Sequence, residues 1–170
     1  MNLGGVPTKE EVLAIALFKL APEMGDIVLD IGCGTGTVSL AISNYVKKVV
    51  AIDRRREAID VASENIKGYE NIELIEGEAK DLIPEIESFN KVFVGGTGDL
   101  EEVLNLIKEC DIIVLNFARI EVASMAIELM KVFGIFKEAL VINVAKSYEL
   151  AGGIAFKPLN PVFMVVGGCL

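Results

Sequence analysis

The sequence predicts an α/β fold: a Rossmann-like, doubly wound, mostly parallel sheet of about seven strands with an antiparallel C-terminal edge. Three observations carry this expectation. Short apolar runs alternate with helical patterns in five β-then-α steps, and parallel strands require such crossover connections. The runs themselves, such as "IVLDI" and "DIIVLN", are apolar almost throughout, as strands covered on both faces are. No helical pattern separates the last two runs, so they are expected to pair antiparallel at a sheet edge.

Pro7-Thr8 followed by Lys9, Glu10 and Glu11 reads as a helix start with an acidic first turn, and the helix runs through "VLAIALFKLA" to Pro22. Residues 27–31 form a short strand, a glycine loop follows, and residues 35–45 are helical. "KVVAID" is the next strand, ending in Asp53, and "REAIDVASENIKG" is a helix stopped at Gly68. "NIELIEG" and "KVFVGG" are strands flanking a polar segment that contains Pro84. "DLEEVLNLIKEC" is a helix with Asp99 placed to cap it, and "DIIVLN" is a strand. "IEVASMAIELMKVFG" is the last long helix, closed at Gly134, and "ALVINVAK" and "NPVFMVVGG" are the final strands. Without an internal repeat, a low-complexity tract or a long linker, residues 1–170 are expected to form a single domain.

Composition narrows the function classes. Hydrophobic residues make up 52% of the 170 positions and mean hydropathy is +0.51, yet charges interrupt every apolar run before the roughly 18 residues that span a bilayer. The N-terminal "MNLGGVPTKEE" lacks a basic stretch followed by an apolar one, so a cytoplasmic protein with an oligomer interface is expected, with no membrane partner. Cys33, Cys110 and Cys169 are far apart and suggest neither a disulfide framework nor a zinc site. The chain has no histidine, which excludes Ser-His-Asp triads, imidazole bases and His-ligated metals; no metal is expected. A net charge of −9 argues against nucleic acid as partner.

Gly32, Gly34 and Gly36 follow a strand and open a helix, where open α/β sheets bind ligands. Glycine lets the backbone approach a ligand, a helix N-terminus offers N–H groups to an anion, and Thr35 and Thr37 add hydroxyls. A dinucleotide fingerprint needs a third glycine where Thr37 stands, and a P-loop needs a Gly-Lys-Ser/Thr that is missing. The actual pattern, D-x-G-x-G-x-G from Asp30 to Gly36, resembles motif I of the class I S-adenosylmethionine-dependent methyltransferases.

That resemblance implies that the loop packs against the methionine end of the cofactor. Asp53, ending the next strand, has the position of a carboxylate that takes both ribose hydroxyls, since two acceptor oxygens suit a vicinal diol. The same residue also reads as a strand-end cap before "RRREAI". "EGEA" stands at the corner that meets the adenine, with Glu78 in the acidic position and Ala79 supplying a backbone N–H; a solvated acidic turn is the other reading.

A narrower resemblance covers almost the whole chain. "GGVPTKEEV", "DIGCGTG", "AIDR", "EGEA", "VFVGGTGDLEEVL" and "NPVFMVVGG" occur in this order, and together they resemble the archaeal cobalt-precorrin-6B C(15)-methyltransferases (decarboxylating) of cobalamin biosynthesis. The resemblance implies S-adenosyl-L-methionine as methyl donor and transfer to a corrin-ring carbon. It also implies loss of carbon dioxide from an acetate side chain, and a homo-oligomer, a tetramer. Its implied cofactor contacts are Thr8, Gly32, Cys33, Gly34, Thr35, Gly36, Asp53, Glu78 and Ala79; Thr8 also reads as a helix N-cap.

Such chemistry asks little of protein side chains, because a sulfonium methyl is already electrophilic and positioning does most of the work. A substrate rich in carboxylates sits uneasily with an acidic chain, so local cations are expected near the site. Arg54, Arg55 and Arg56 open a helix where cations oppose the macrodipole, and Arg119, Lys146 and Lys157 form a candidate rim. Asn116 and Gly95-Gly96, just past strands, should border the site. Glu121 and Tyr148 are candidates for proton transfer, with no catalytic acid or base assigned. The residues leave open a methyltransferase acting on tRNA or protein, and a non-catalytic module that keeps the fold.

Overall fold

A computed structural model describes residues 8–169. Seven strands form the main sheet: β1 (Ile27–Ile31), β2 (Lys48–Asp53), β3 (Ile72–Glu76), β4 (Lys91–Val94), β5 (Ile112–Phe117), β6 (Phe136–Ile142) and, last in the chain, β9 (Val162–Gly167). Their order is β3-β2-β1-β4-β5-β9-β6. β1 to β5 are parallel, and β9 inserts antiparallel between β5 and β6. The predicted antiparallel pairing of the last two sheet strands is present, with the later strand inside and the earlier one on the edge.

Two helical layers cover this sheet. Val28, Val49, Phe93, Val114 and Met164 pack under α1 (Glu10–Leu20) and α2 (Thr37–Ser43), and Ile66, which caps α3 (Arg56–Asn65), joins them. Leu29, Ile31, Val50, Val92 and Leu115 pack on the other side under α4 (Ala79–Leu82), α5 (Leu100–Ile107) and α6 (Ile120–Val132). This alternation along each strand is what a period of two produces when both faces are buried.

The direction of α1 matters for the site. Lys91, which starts β4, donates through Nζ to the carbonyl of Ala21 just past α1 (2.5 Å) and pairs with Asp26 Oδ2 at 2.7 Å. At the other end, Lys9 Nζ donates to the carbonyl of Asn160, just before β9 (2.6 Å). The helix therefore runs against the parallel strands, with its amino end over their carboxyl ends.

Helix starts depart from expectation in three details. α2 starts at Thr37 instead of residue 35 because Gly36 is left-handed (φ +79°) and donates its N–H back to Cys33, which keeps the loop out of the helix. Asp99 occupies the N-cap of α5 without a side-chain capping bond; its carboxylate pairs with Lys80 at 3.1 Å instead. Thr8 is likewise no cap, because Lys9 holds that position on α1.

The helix-free connection before β9 is a separate two-stranded hairpin, β7 (Ala145–Leu150) and β8 (Gly153–Pro158). Its two-residue turn, Ala151-Gly152, has positive φ at both positions (49° and 79°), the type I′ geometry that matches strand twist. Every residue of β7 is exposed, as are Ile154 and Phe156.

Candidate functional site

Strand order reverses between β1 and β4, and a cavity of about 450 Å³ opens at the carboxyl ends there. Such a switch point is where open α/β sheets leave a crevice. Its wall takes Gly32 from the end of β1, Asp53–Arg55 from β2, and Gly77–Ala79 from β3. Gly95–Gly98 come from β4, and Arg119 from the turn after β5.

Gly32 sets the depth of this crevice. Its φ is +71°, and a Cβ there would lie 2.3 Å from the carbonyl oxygen of Gly96. Two backbones therefore cross at a separation that no side chain permits. Gly95 completes the junction by donating its N–H to Ile31 O (2.8 Å).

Asp53 is 3% exposed and fully committed. Its Oδ2 accepts from the Gly34 N–H (2.9 Å) and from Arg55 Nη2 (3.0 Å); its Oδ1 accepts from the Arg55 backbone N–H and Nε, both at 3.0 Å. A carboxylate has about four acceptor sites, so all are in use. Burial alone would raise its pKa; the hydrogen bonds from Arg55 and Gly34 outweigh this and hold it below the ordinary value. The bond to Gly34 ties the glycine loop to the end of β2.

The other loop residues have distinct surroundings. Cys33 is buried, donates its N–H to Ile52 O, and has its thiol pKa pushed up by burial. Thr35 and Thr37 share a hydroxyl contact at 3.1 Å, and Asn65 donates to Thr35 O (2.9 Å). Gly36 faces α3, where a Cβ would meet Ile66 at 3.3 Å and Ala62 at 3.6 Å. Cys33, Gly34, Thr35, Gly36 and Thr8 are not in the cavity wall, whereas Gly32, Asp53, Glu78 and Ala79 are. Behind the loop, Asp30 is wholly buried and accepts from Ser39 Oγ at 2.5 Å, while its Oδ1 has no partner among the described residues. Burial raises its pKa to about 7.

The basic candidates separate. Arg54 pairs with Glu78 (3.4 Å), and Arg56 with Glu76 (2.7 Å) and Asp60 (3.2 Å). Lys146 reaches Glu11 at 3.0 Å from the base of the hairpin, and Lys157 is exposed on β8. Arg119 lines the cavity with no ion pair among the described residues. Glu121 is exposed in the first turn of α6, and Tyr148 is 45% exposed on β7; neither lines the cavity.

Asn116, at the carboxyl end of β5, is 9% exposed, and neither its Oδ1 nor its Nδ2 has a hydrogen-bond partner among the described residues. A buried amide in that state costs roughly 1–3 kcal/mol. The sequence leads us to expect both Asn116 and Arg119 at this site: Arg119 lines the cavity and Asn116 is not part of its wall, and of the anions the arginine run could face, Asp53 is the one Arg55 binds. The signal for that pair is the arginine run directly after the strand-end acid.

The precorrin methyltransferase domain family matches residues 2–167. A probable cobalt-precorrin-6B C(15)-methyltransferase (decarboxylating) of Archaeoglobus fulgidus is 46% identical, covering 94% of this chain and 96% of that one. A crystal structure named precorrin 8W decarboxylase, from Methanobacterium thermoautotrophicum, superimposes with a TM-score of 0.92 at 30% identity, covering 97% of this chain and 93% of that one. A precorrin-6y C5,15-methyltransferase of Geobacter metallireducens does so at 0.91 with 28% identity, covering 99% and 94%.

Proposed function

This chain belongs to the precorrin methyltransferase family, and on that premise we propose that it methylates C-15 of a cobalt-precorrin with decarboxylation of an acetate side chain, in cobalamin biosynthesis. The observation that carries this reading is the junction at the switch point. There the Gly34 N–H binds Asp53 beside a cavity whose floor is the Gly32–Gly96 crossing.

S-adenosyl-L-methionine, when bound, supplies an electrophilic methyl and leaves as S-adenosylhomocysteine. The residues present fit it. The left-handed glycine at position 32 leaves backbone, with no side chain, against the cavity. A dicoordinate acceptor for a ribose diol, Asp53, stands at the end of β2, and Glu78 and Ala79 offer a carboxylate and a backbone N–H at the corner after β3. Thr8 and the loop residues Cys33, Gly34, Thr35 and Gly36 would close around the amino-acid end.

Around the cofactor seat, this chain's residues have positioning roles. Arg55 has to leave Asp53 before a diol takes its oxygens, because all four acceptor sites are filled. Arg119, without an acidic partner among the described residues, supplies a cation at the cavity wall for a substrate carboxylate, offsetting the net charge of −9. No side chain is assigned as general acid or base.

We read the chain as a homo-oligomer, a tetramer, and what supports an interface between copies is the hairpin. Tyr148 and Leu150 are exposed on one face of the two-stranded arm and Ile154 and Phe156 on the other, and such hairpins are marginal unless something packs on them. We further read residues 1–170 as one domain, and no helix of the described residues is long and apolar enough to cross a membrane. A cytoplasmic enzyme without a nucleic-acid or membrane partner is consistent with that and with the acidic balance.

The test is incubation of the protein with isotopically labelled S-adenosyl-L-methionine and cobalt-precorrin-6B, with products weighed by mass spectrometry. Gain of one methyl with loss of carbon dioxide is the expected result. Methyl gain with the carboxyl retained would contradict the bifunctional reading.

A further inference from the structure

We propose that Asn116 holds the substrate carboxylate that leaves as carbon dioxide, donating to it from the carboxamide Nδ2–H. The inference rests on the decarboxylating reading above and goes beyond it by naming the residue and the group.

Position comes first. Continuing the β4–β5 register one step past Val94 and Leu115 sets Asn116 beside Gly95. With strands about 4.8 Å apart, that is next to the β4 side of the junction and two strands, about 10 Å, from the end of β1. On its other side Asn116 pairs with Met164 of β9. Alternation along β5 puts Ile113 and Leu115 in the α5–α6 layer and Val114 in the α1–α2 layer, so Asn116 faces the α1 side. The amino end of α1 lies over this edge, and there Glu11 Oε2 has no partner among the described residues while Oε1 pairs with Lys146. Val12, Val114 and Met164 are all buried in that layer.

Chemistry decides what such a group is for. A nine-tenths-buried amide that no described residue bonds is left with donors and an acceptor to offer, and a ligand is what we assign to them. The substrate of a decarboxylating methyltransferase presents carboxylates of two fates. Those that stay are best held by a cation, and Arg119 stands at the cavity wall for that. The one that leaves is different. In the loss of carbon dioxide the C–C bond to the carboxyl breaks, and its electron pair passes into the conjugated macrocycle. Carbon dioxide departs, and a solvent proton then completes the methyl group. Negative charge flows off the carboxylate, so an ion pair there would stabilise the reactant more than the transition state. A neutral donor in an apolar setting orients the carboxylate and leaves its charge free to move.

The experiment uses the full chain. N116A and the near-isosteric N116D, which replaces the donor by an acceptor, are compared with the unmodified protein. Calorimetry with S-adenosylhomocysteine and mass spectrometry of the products from cobalt-precorrin-6B are the two readouts. Both variants are expected to bind S-adenosylhomocysteine as before, which also reports a folded site. Release of carbon dioxide should fall by about tenfold to a hundredfold, more in N116D, and methylated product that retains its carboxyl should accumulate. Unchanged product ratios overturn the proposal, as does an equal loss of methylation and decarboxylation. Weakened S-adenosylhomocysteine binding with unchanged product ratios also overturns it, assigning the amide to the cofactor's carboxylate. If the unmodified protein itself releases no carbon dioxide, the decarboxylating reading fails, and this one with it.

Discussion

Arg55 closes a fork on Asp53, with Nε on one carboxylate oxygen and Nη2 on the other, both at 3.0 Å. The two residues are separated by one position in sequence, so the contact forms as soon as β2 ends and α3 begins. A bidentate arginine–carboxylate pair is among the stronger polar contacts, and this carboxylate is buried. The pair competes with any diol for the same lone pairs. Arg55→Ala is therefore expected to tighten S-adenosylhomocysteine binding several-fold by removing the competitor. Isothermal titration calorimetry measures it, and weaker binding would show that Arg55 assists the ligand instead.

Asp53→Ala should do the reverse. Charge-assisted hydrogen bonds to a diol are lost, and the Gly34 N–H loses its acceptor. Affinity for S-adenosylhomocysteine should drop by roughly 1–3 kcal/mol. Unchanged affinity would remove the ribose from Asp53. Combining this change with Arg55→Ala should give no more loss than Asp53→Ala alone, because the arginine acts through the carboxylate.

Gly32→Ala tests the crossing of β1 and β4. The added methyl would stand 2.3 Å from Gly96 O, in a backbone conformation (φ +71°) that L residues seldom adopt. Strain and overpacking together should cost roughly 2–5 kcal/mol of folding stability. Urea unfolding reads the loss. Gly25→Ala is the control, because a Cβ there meets nothing within 4 Å and the φ is not positive.

What was legible in the sequence follows from the range of the interactions involved. The strand pattern, the glycine loop and Asp53 are local: each is written in a few consecutive residues whose types have few other uses. The Gly32–Gly96 crossing joins distant parts of the chain, and only the sheet order brings them together. The β7–β8 hairpin escaped because its turn is Ala151-Gly152, without an Asn-Gly signal, and its apolar side chains point outward, so no core face shows in the pattern. Asp99 has a capping residue's type and place, yet Lys80 takes its carboxylate; propensity cannot foresee a partner from another element. At Asn116 the position was readable, but the empty hydrogen bonds were not, since they depend on every neighbour.

Asp30 supplies a pH-dependent prediction. Its ordinary pKa is 3.8, and complete burial raises it to about 7; the Ser39 hydroxyl pulls the other way without overcoming this, and the Asp53 charge adds to the rise. A folded-state value above the unfolded one means that the native protein holds a proton the unfolded chain gives up. The contribution is therefore fully favourable below the unfolded value. It falls by about 1.4 kcal/mol per pH unit as pH rises toward 7, reaching about 4 kcal/mol in all. Asp26 and Asp53 have lowered values and act oppositely, losing stability as pH falls, so total stability does not isolate Asp30. The difference between the unmodified protein and Asp30→Asn does. Asparagine keeps an oxygen for Ser39 and cannot ionise. Urea unfolding at intervals from pH 4.5 to 8 (roughly the window between the two values) should show the variant gaining on the unmodified protein as pH rises, then a level margin. A margin independent of pH would mean that Asp30 is ionised in the native fold.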